Sequence, residues 1–201
     1  MKSKPFPFRR WIRILVFLLI LPGCTWEAIA QEYRLTKEGS ELLITGTSTL
    51  HDWEIVAEDP AGSLQVDATG ELPNLKNLHF SVVSESLKSG KESMDKNTYK
   101  ALETDKYEQI VFRMVKVKEI KPVVSSEKRY KALLEGDLTI AGKTKRIDLE
   151  CVLTLGEGRA SLKGKEPLKM TEYGIDPPKA LLGTIKTGDD VEIHFNTHWK
   201  R

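Results

Sequence analysis

The chain has 201 residues, 40% of them hydrophobic and 30% charged, with a formal net charge of +2. That composition lies close to the globular average and excludes a disordered, collagen-like or polytopic membrane chain. Two cysteines exclude a disulfide framework and a four-thiolate zinc site, and the small net charge gives no electrostatic reason to bind nucleic acid.

The first thirty residues read as a removable leader. Lys2, Lys4, Arg9, Arg10 and Arg13 form a basic start, and Ile14 to Leu21 is an unbroken apolar run. A run of that length is too short for a spanning helix, which needs about 20 apolar residues. Ala28-Ile29-Ala30 supplies the small-x-small pattern of a signal-peptidase site, so cleavage is expected before Gln31. A competing pattern is Leu21-Pro22-Gly23-Cys24, which resembles a lipobox and would anchor the protein through an acylated Cys24. Cleavage before Gln31 removes five of the 31 basic residues and one of the 29 acids, turning a net charge of +2 into −2. Residues 31–201 are then expected to form one periplasmic or secreted domain with no transmembrane segment. They keep one cysteine, Cys151, and so have no internal disulfide.

Period-2 alternation dominates the rest of the chain, the mark of half-buried strands. Gly46-Thr47-Ser48-Thr49 is a hydroxyl-rich strand with no helix after it, and so is not a phosphate cradle. His51, Trp53, Ile55 and Ala57 share one face against Asp52, Glu54 and Glu58. Leu64, Val66 and Ala68 form a second such face, and Leu78, Phe80 and Val82 a third. From Ser93 the rhythm changes to a short helix, with Ser93 as the expected cap and Asp95 in its first turn. Met94, Thr98, Ala101 and Leu102 fall on one side of it. Met94, Tyr99, Leu102 and Tyr107 form either the packing face of that helix or a gate. Alternation resumes at Ile110, Phe112 and Met114.

Tyr130, Ala132, Leu134, Leu138 and Ile140 share a face opposite Glu135, Asp137 and Thr139. After Ala141-Gly142-Lys143, Ile147, Leu149, Cys151, Leu153 and Leu155 alternate in turn, which makes a hairpin. Gly156-Glu157-Gly158 turns the chain into a third strand carrying Ala160 and Leu162. Val191, Ile193 and Phe195 alternate in the last strand. About eight strands with one apolar face each must close on themselves or pair as two sheets. The fold class is therefore all-β, an antiparallel barrel or sandwich with a short inserted helix.

Three segments in order then resemble the YceI-like family of bacterial secreted proteins. The first is Leu87-Lys-Ser-Gly with Met94-Asp-Lys, Ala101-Leu-Glu-Thr-Asp-Lys-Tyr107 and Ile110-Val-Phe112. The second is Leu134-Glu-Gly-Asp-Leu-Thr-Ile-Ala-Gly-Lys-Thr-Lys145, similar to the central hairpin of the family. The third is Lys169-Met-Thr-Glu-Tyr-Gly-Ile175. The likeness spans 33–199. It departs at Met170-Thr171-Glu172, where many members carry an arginine, and at Gly46–Glu54. The resemblance implies an up-and-down, lipocalin-like barrel of about eight strands that holds an isoprenoid or other long-chain lipid without catalysis or cofactor. A barrel of that size either fills with side chains or encloses one small ligand.

Strand parity places a candidate ligand lining at His51, Trp53, Ile55, Phe80, Val82, Ile110, Phe112, Leu138, Ile140, Leu149, Leu153 and Phe195. His51 would be a polar handle, or simply a hydrogen-bonded histidine. An acid–base dyad of His51 with Asp52 is disfavoured, because strand neighbours face opposite ways. Cys151 reads as a buried, inert thiol. His194 and His198, four apart on a strand and so about 13 Å apart, are too far to share a metal ion. No nucleophile elbow, P-loop or dinucleotide fingerprint occurs. Two other readings stay open: a packed barrel serving as a stress or interaction module, and an enzyme acting on a hydrophobic substrate. A homodimer is compatible with either.

Overall fold

The computed structural model describes residues 30–124, 128–180 (180 by its backbone alone) and 183–201. The leader, its cleavage site and Cys24 lie outside the described residues. The strands are β1 (Gln31–Ser48), β2 (Trp53–Ala57), β3 (Pro60–Asp67), β4 (Asn74–Val83), β5 (Leu87–Lys88), β6 (Gln109–Pro122), β7 (Arg129–Ile140), β8 (Lys143–Gly156), β9 (Arg159–Lys169), β10 (Lys179–Ala180) and β11 (Ile185–Lys200). Among the described residues a single α-helix, α1 (Glu92–Leu102), is inserted between β5 and β6.

Eight strands close into an antiparallel barrel in the order β1-β3-β4-β6-β7-β8-β9-β11, with β11 returning to β1. This is the barrel that the family resemblance implies and one of the two architectures that the alternating segments left open. Closure removes the free sheet edges that long amphipathic strands would otherwise expose. The tight turns follow local chemistry. Ala141 and Gly142 join β7 to β8 with φ of 46° and 72°, the left-handed pair of a two-residue hairpin turn.

β1 is bent. Its start pairs with β3 through Gln31–Arg34, its end pairs with β2 through Leu43–Gly46, and β11 accompanies it on the other side. The bend sits at a break in register between Thr36 and Glu41, where Gly39 has φ 77°. There the Ser40 hydroxyl donates to the Thr36 carbonyl and accepts from the His198 N–H, so side-chain bonds replace missing ladder bonds. β6 has two similar breaks, after Met114 and after Val117. They move the inward positions to Val117 and Ile120 and leave Val115 exposed.

The two ends of the barrel differ. At the end where β1 starts and β11 finishes, Tyr33, Leu64, Val66, Leu134, Leu153 and Trp199 are all but fully buried and form a solid plug. The Trp199 indole N–H donates to the Thr197 hydroxyl, which donates to the Leu162 carbonyl, so the polar atoms carried into the plug are paired. At the other end α1 lies over the barrel.

The helix begins at Glu92 after Lys91, whose side chain makes no capping bond, so Ser93 is not the cap. The local bond is made by Asp95, whose carboxylate accepts from the Ser89 N–H and hydroxyl and ties the helix start to the preceding loop. The Tyr99 hydroxyl donates to the Glu85 and Leu87 carbonyls and accepts from the Lys88 ammonium. Ala68, expected on the face of Leu64 and Val66, lies beyond the end of β3 and is exposed.

Candidate functional site

The barrel is hollow between the plug and α1. An inner cavity of about 130 Å³ is walled by residues such as Leu42, Leu78, Phe112, Cys151, Phe195 and Trp199. An outer chamber of about 320 Å³ lies beneath the helix, against Met94, Thr98, Ala101 and Leu102 and against Trp53, Ile55 and Leu168. Ile44, Leu87, Ile110, Ile140 and Ile193 line both, so the two spaces adjoin at a shared aliphatic neck. Together they fall within the range of about 300–1,000 Å³ usual for small-molecule sites.

Glycines keep this space open by letting aromatic rings lie flat on the sheet. The Phe195 ring passes over Gly164 so closely that a Cβ there would sit 2.6 Å from its Cζ, and Phe112 covers Gly136 more closely still. A larger residue at either glycine would drive the ring toward the lumen. Trp53 packs on Gly46 in the same way and donates its indole N–H to the Thr47 carbonyl at 3.0 Å.

The residues expected to form the lining are distributed over both spaces. Phe80, Val82, Phe112, Leu138, Leu149 and Phe195 line the inner cavity, Trp53 and Ile55 the outer chamber, and Ile110 and Ile140 the neck. Two positions differ from expectation. Leu153 touches neither space, because it belongs to the plug. His51 is not on an inward strand face: it precedes β2, is exposed, and stands at the rim of the outer chamber. Its Nδ1–H donates to the backbone carbonyl of Asp52 at 2.7 Å, so its contact with Asp52 is not through the carboxylate. The turn holding it is closed by the Ser48 hydroxyl, which donates to the His51 carbonyl and accepts from the His51 N–H.

Of the four residues expected as packing face or gate, Met94 and Leu102 line the outer chamber. Tyr99 anchors the helix instead, and Tyr107 packs its ring on Gly142. Residues missed by parity include Leu42 and Ile44 of β1, Leu87, Glu166 and Trp199. Leu42 and Ile44 share the inward face with Tyr33 and Leu35 only because the break at Thr36–Glu41 resets the alternation.

The chemistry of the walls is sparse. Cys151 borders the inner cavity, and burial pushes its thiol up to about 12, so it is a protonated, unreactive group at neutral pH. Glu166 is the one carboxyl on the inner wall among the described residues. Burial, with Asp148 and Glu150 nearby, pushes it up to about 7. The outer chamber is more polar, with Ser48, His51, Lys91, Asn97 and Lys179 among its lining residues. Among the described residues no group of three or more His, Cys, Asp or Glu could hold a metal ion, and no helix is long and apolar enough to cross a membrane.

The fold and its hollow define a closed antiparallel barrel with an internal apolar site capped by a helix. A family model described as the YceI-like domain matches residues 33–199, and the chain belongs to that family. Solved structures agree on the fold. BcnA of Burkholderia cenocepacia superposes with a TM-score of 0.64 at 16% identity, covering 82% of this chain and 98% of that one. A polyisoprenoid binding domain from Saccharophagus degradans, implicated in plant cell wall breakdown, gives 0.62 at 13% identity, covering 84% and 97%. The Campylobacter jejuni YCEI protein gives 0.55 at 15% identity, covering 72% and 82%. No curated protein matches the chain.

Proposed function

We propose that this protein is a non-enzymatic carrier that holds an isoprenoid or other long-chain lipid in the lumen. The observation that carries the reading is the pair of adjoining, largely apolar spaces inside the barrel, the inner cavity and the outer chamber, which share an aliphatic boundary and offer room for a chain-shaped ligand. The polyisoprenoid binding domain of Saccharophagus degradans shares the fold and lends the ligand class. Burial of apolar carbons supplies the affinity: at about 0.8 kcal/mol per methylene, ten carbons contribute roughly 8 kcal/mol before the costs of association.

Catalysis has little support in this lumen. Glu166 shares the inner cavity with Cys151, a thiol that burial keeps protonated, whereas His51, Lys91 and Lys179 border the outer chamber with no carboxyl among its lining residues. The packed-barrel reading fits the plugged end and not the hollow one. Export belongs to the same proposal. β1 begins at Gln31, so cleavage before that residue would leave every described strand intact.

The test is incubation of delipidated protein with an isoprenoid, gel filtration, and organic extraction of the protein peak. Stoichiometric lipid in the extract is the expected result. Lipid that elutes away from folded protein would overturn the reading. The mass of the exported chain reports its first residue as Gln31 or an acylated Cys24.

A further inference from the structure

Of the six residues that fill the plugged end, Trp199 alone borders the inner cavity. The ladder between β11 and β9 is unbroken from Asp190 to Lys200, so every second residue of β11 keeps facing inward. These inward residues descend the barrel in order. Val191 lines the outer chamber, Ile193 the neck, and Phe195, Thr197 and Trp199 the inner cavity. At about 3.3 Å per residue, Trp199 lies roughly 20 Å along the strand from Ile193. It is the floor of that descent.

The floor is held from several sides. The Trp199 ring lies on Gly62 of β3, where a Cβ would sit 2.9 Å from its Cη2. Its indole N–H donates to the Thr197 hydroxyl at 3.0 Å, and that hydroxyl donates to the Leu162 carbonyl. No other residue of the plug (Tyr33, Leu64, Val66, Leu134 and Leu153) is more than 2% exposed.

We propose that Trp199 is the stop of a length gauge: it ends the lumen and so sets the length of prenyl or acyl chain that the barrel holds in full. The inference rests on the lipid-binding reading and deepens it by assigning a specificity residue. A chain gains affinity with each carbon that leaves water, and the gain ends where the lumen ends. Admitting more carbons past the floor would cost the packing of the ring on Gly62 and its bond to Thr197, and would overpack the plug. A longer chain therefore leaves its surplus outside the barrel. The end that meets the floor is hydrocarbon, because the Thr197 hydroxyl is already spent on Trp199 and Leu162. An inner cavity of about 130 Å³ and an outer chamber of about 320 Å³ make room for a drug-sized ligand, which suits a chain of about three or four isoprene units and not one of twice that length.

The experiment titrates prenyl alcohols of two, three, four and eight isoprene units into delipidated parent protein and into Trp199→Phe, Trp199→Leu and Cys151→Leu, each checked for folding by circular dichroism, with binding read by calorimetry. Parent affinity should rise about tenfold or more per added unit up to three or four units and then level off. Trp199→Phe and, further, Trp199→Leu should carry the rise to longer chains by lowering the floor. Cys151→Leu fills the inner cavity instead and should end the rise one unit earlier. Trp199→Phe keeps a ring on Gly62, so it answers the question even where Trp199→Leu does not fold. If parent affinity goes on rising to eight units, or if the levelling point is the same in parent and folded variants, Trp199 is not the stop, while lipid binding stands. If folded parent binds none of the alcohols, the lipid reading fails and this inference fails with it.

Discussion

Trp53 sets its ring against Gly46 and spends its indole N–H on the Thr47 carbonyl, so the face it turns to the outer chamber is purely apolar. Trp53→Ala should weaken lipid binding by tenfold or more, in line with truncation of a buried aromatic anchor at about 2 kcal/mol, and should reduce the fluorescence change on loading. Unchanged affinity would remove Trp53 from the site. Glu166 makes a prediction about stability as well. Its folded pKa of about 7 lies above the ordinary 4.5, so the unfolded chain ionises first. The stability it contributes is present in full below 4.5 and is lost as pH rises through 7. Glu166→Gln should therefore gain Tm relative to the parent as pH is raised across that window. A constant difference in Tm would contradict the assignment. At this scale the sequence is informative for apolar residues and poor for polar ones. Period-2 parity sets Phe80, Phe112 and Phe195 inward because hydrophobic burial enforces it. The same parity at Glu166 reads as one more acid in the polar stretch Lys163–Glu166, and only the fold shows that burial beside Asp148 and Glu150 raises its pKa.

Among the elements, β9 and β11 depend on Gly164, over which the Phe195 ring lies. Gly164→Ala should destabilise the fold by about 1–3 kcal/mol through overpacking and, in the fraction that folds, should lower lipid capacity by pushing the ring inward. Equilibrium denaturation with a lipid titration measures both, and an unaffected protein would mean the ring can shift freely. The helix offers a second test. Tyr99→Phe removes the hydroxyl that bonds two carbonyls and the Lys88 ammonium. It should cost about 1–2 kcal/mol and raise hydrogen exchange in Glu92–Leu102 ahead of the barrel strands. The helix and seven barrel strands are legible as periodic stretches. β1 is legible only at its end, because the break between Thr36 and Glu41 resets its alternation and its middle is polar. The second half of β6 is lost for the same reason, after the breaks at Met114 and Val117. The Ser93 cap rests on residue preference alone and loses to Asp95, whose carboxylate reaches back to Ser89.

For the whole molecule, closure of eight strands makes an interior whose fate is decided end by end. Tyr33, Leu64, Val66, Leu134, Leu153 and Trp199 fill one end, and glycines facing aromatic rings leave the other hollow. The all-β class can be read by counting amphipathic segments, whereas closure cannot, because the same segments also suit a sandwich and the one at Trp53–Ala57 pairs on β1 outside the barrel order. The division between plug and lumen cannot, since Leu153 and Leu149 alternate identically on β8 and only their height in the barrel separates them. On the outer surface, Glu135 lies among Lys116, Lys118 and Arg146, and Asp137 is held by Arg146. Contact with these cations keeps both carboxyls below the ordinary carboxylate range, yet exposed pairs of this kind contribute about 0–1 kcal/mol. On the proposed function, lipid occupies the hollow. Native mass spectrometry of protein purified without detergent, followed by organic extraction, tests it most directly. A discrete added mass that solvent releases as an isoprenoid or comparable lipid is the expected result. A bare mass that remains bare after incubation with isoprenoid lipids would contradict it.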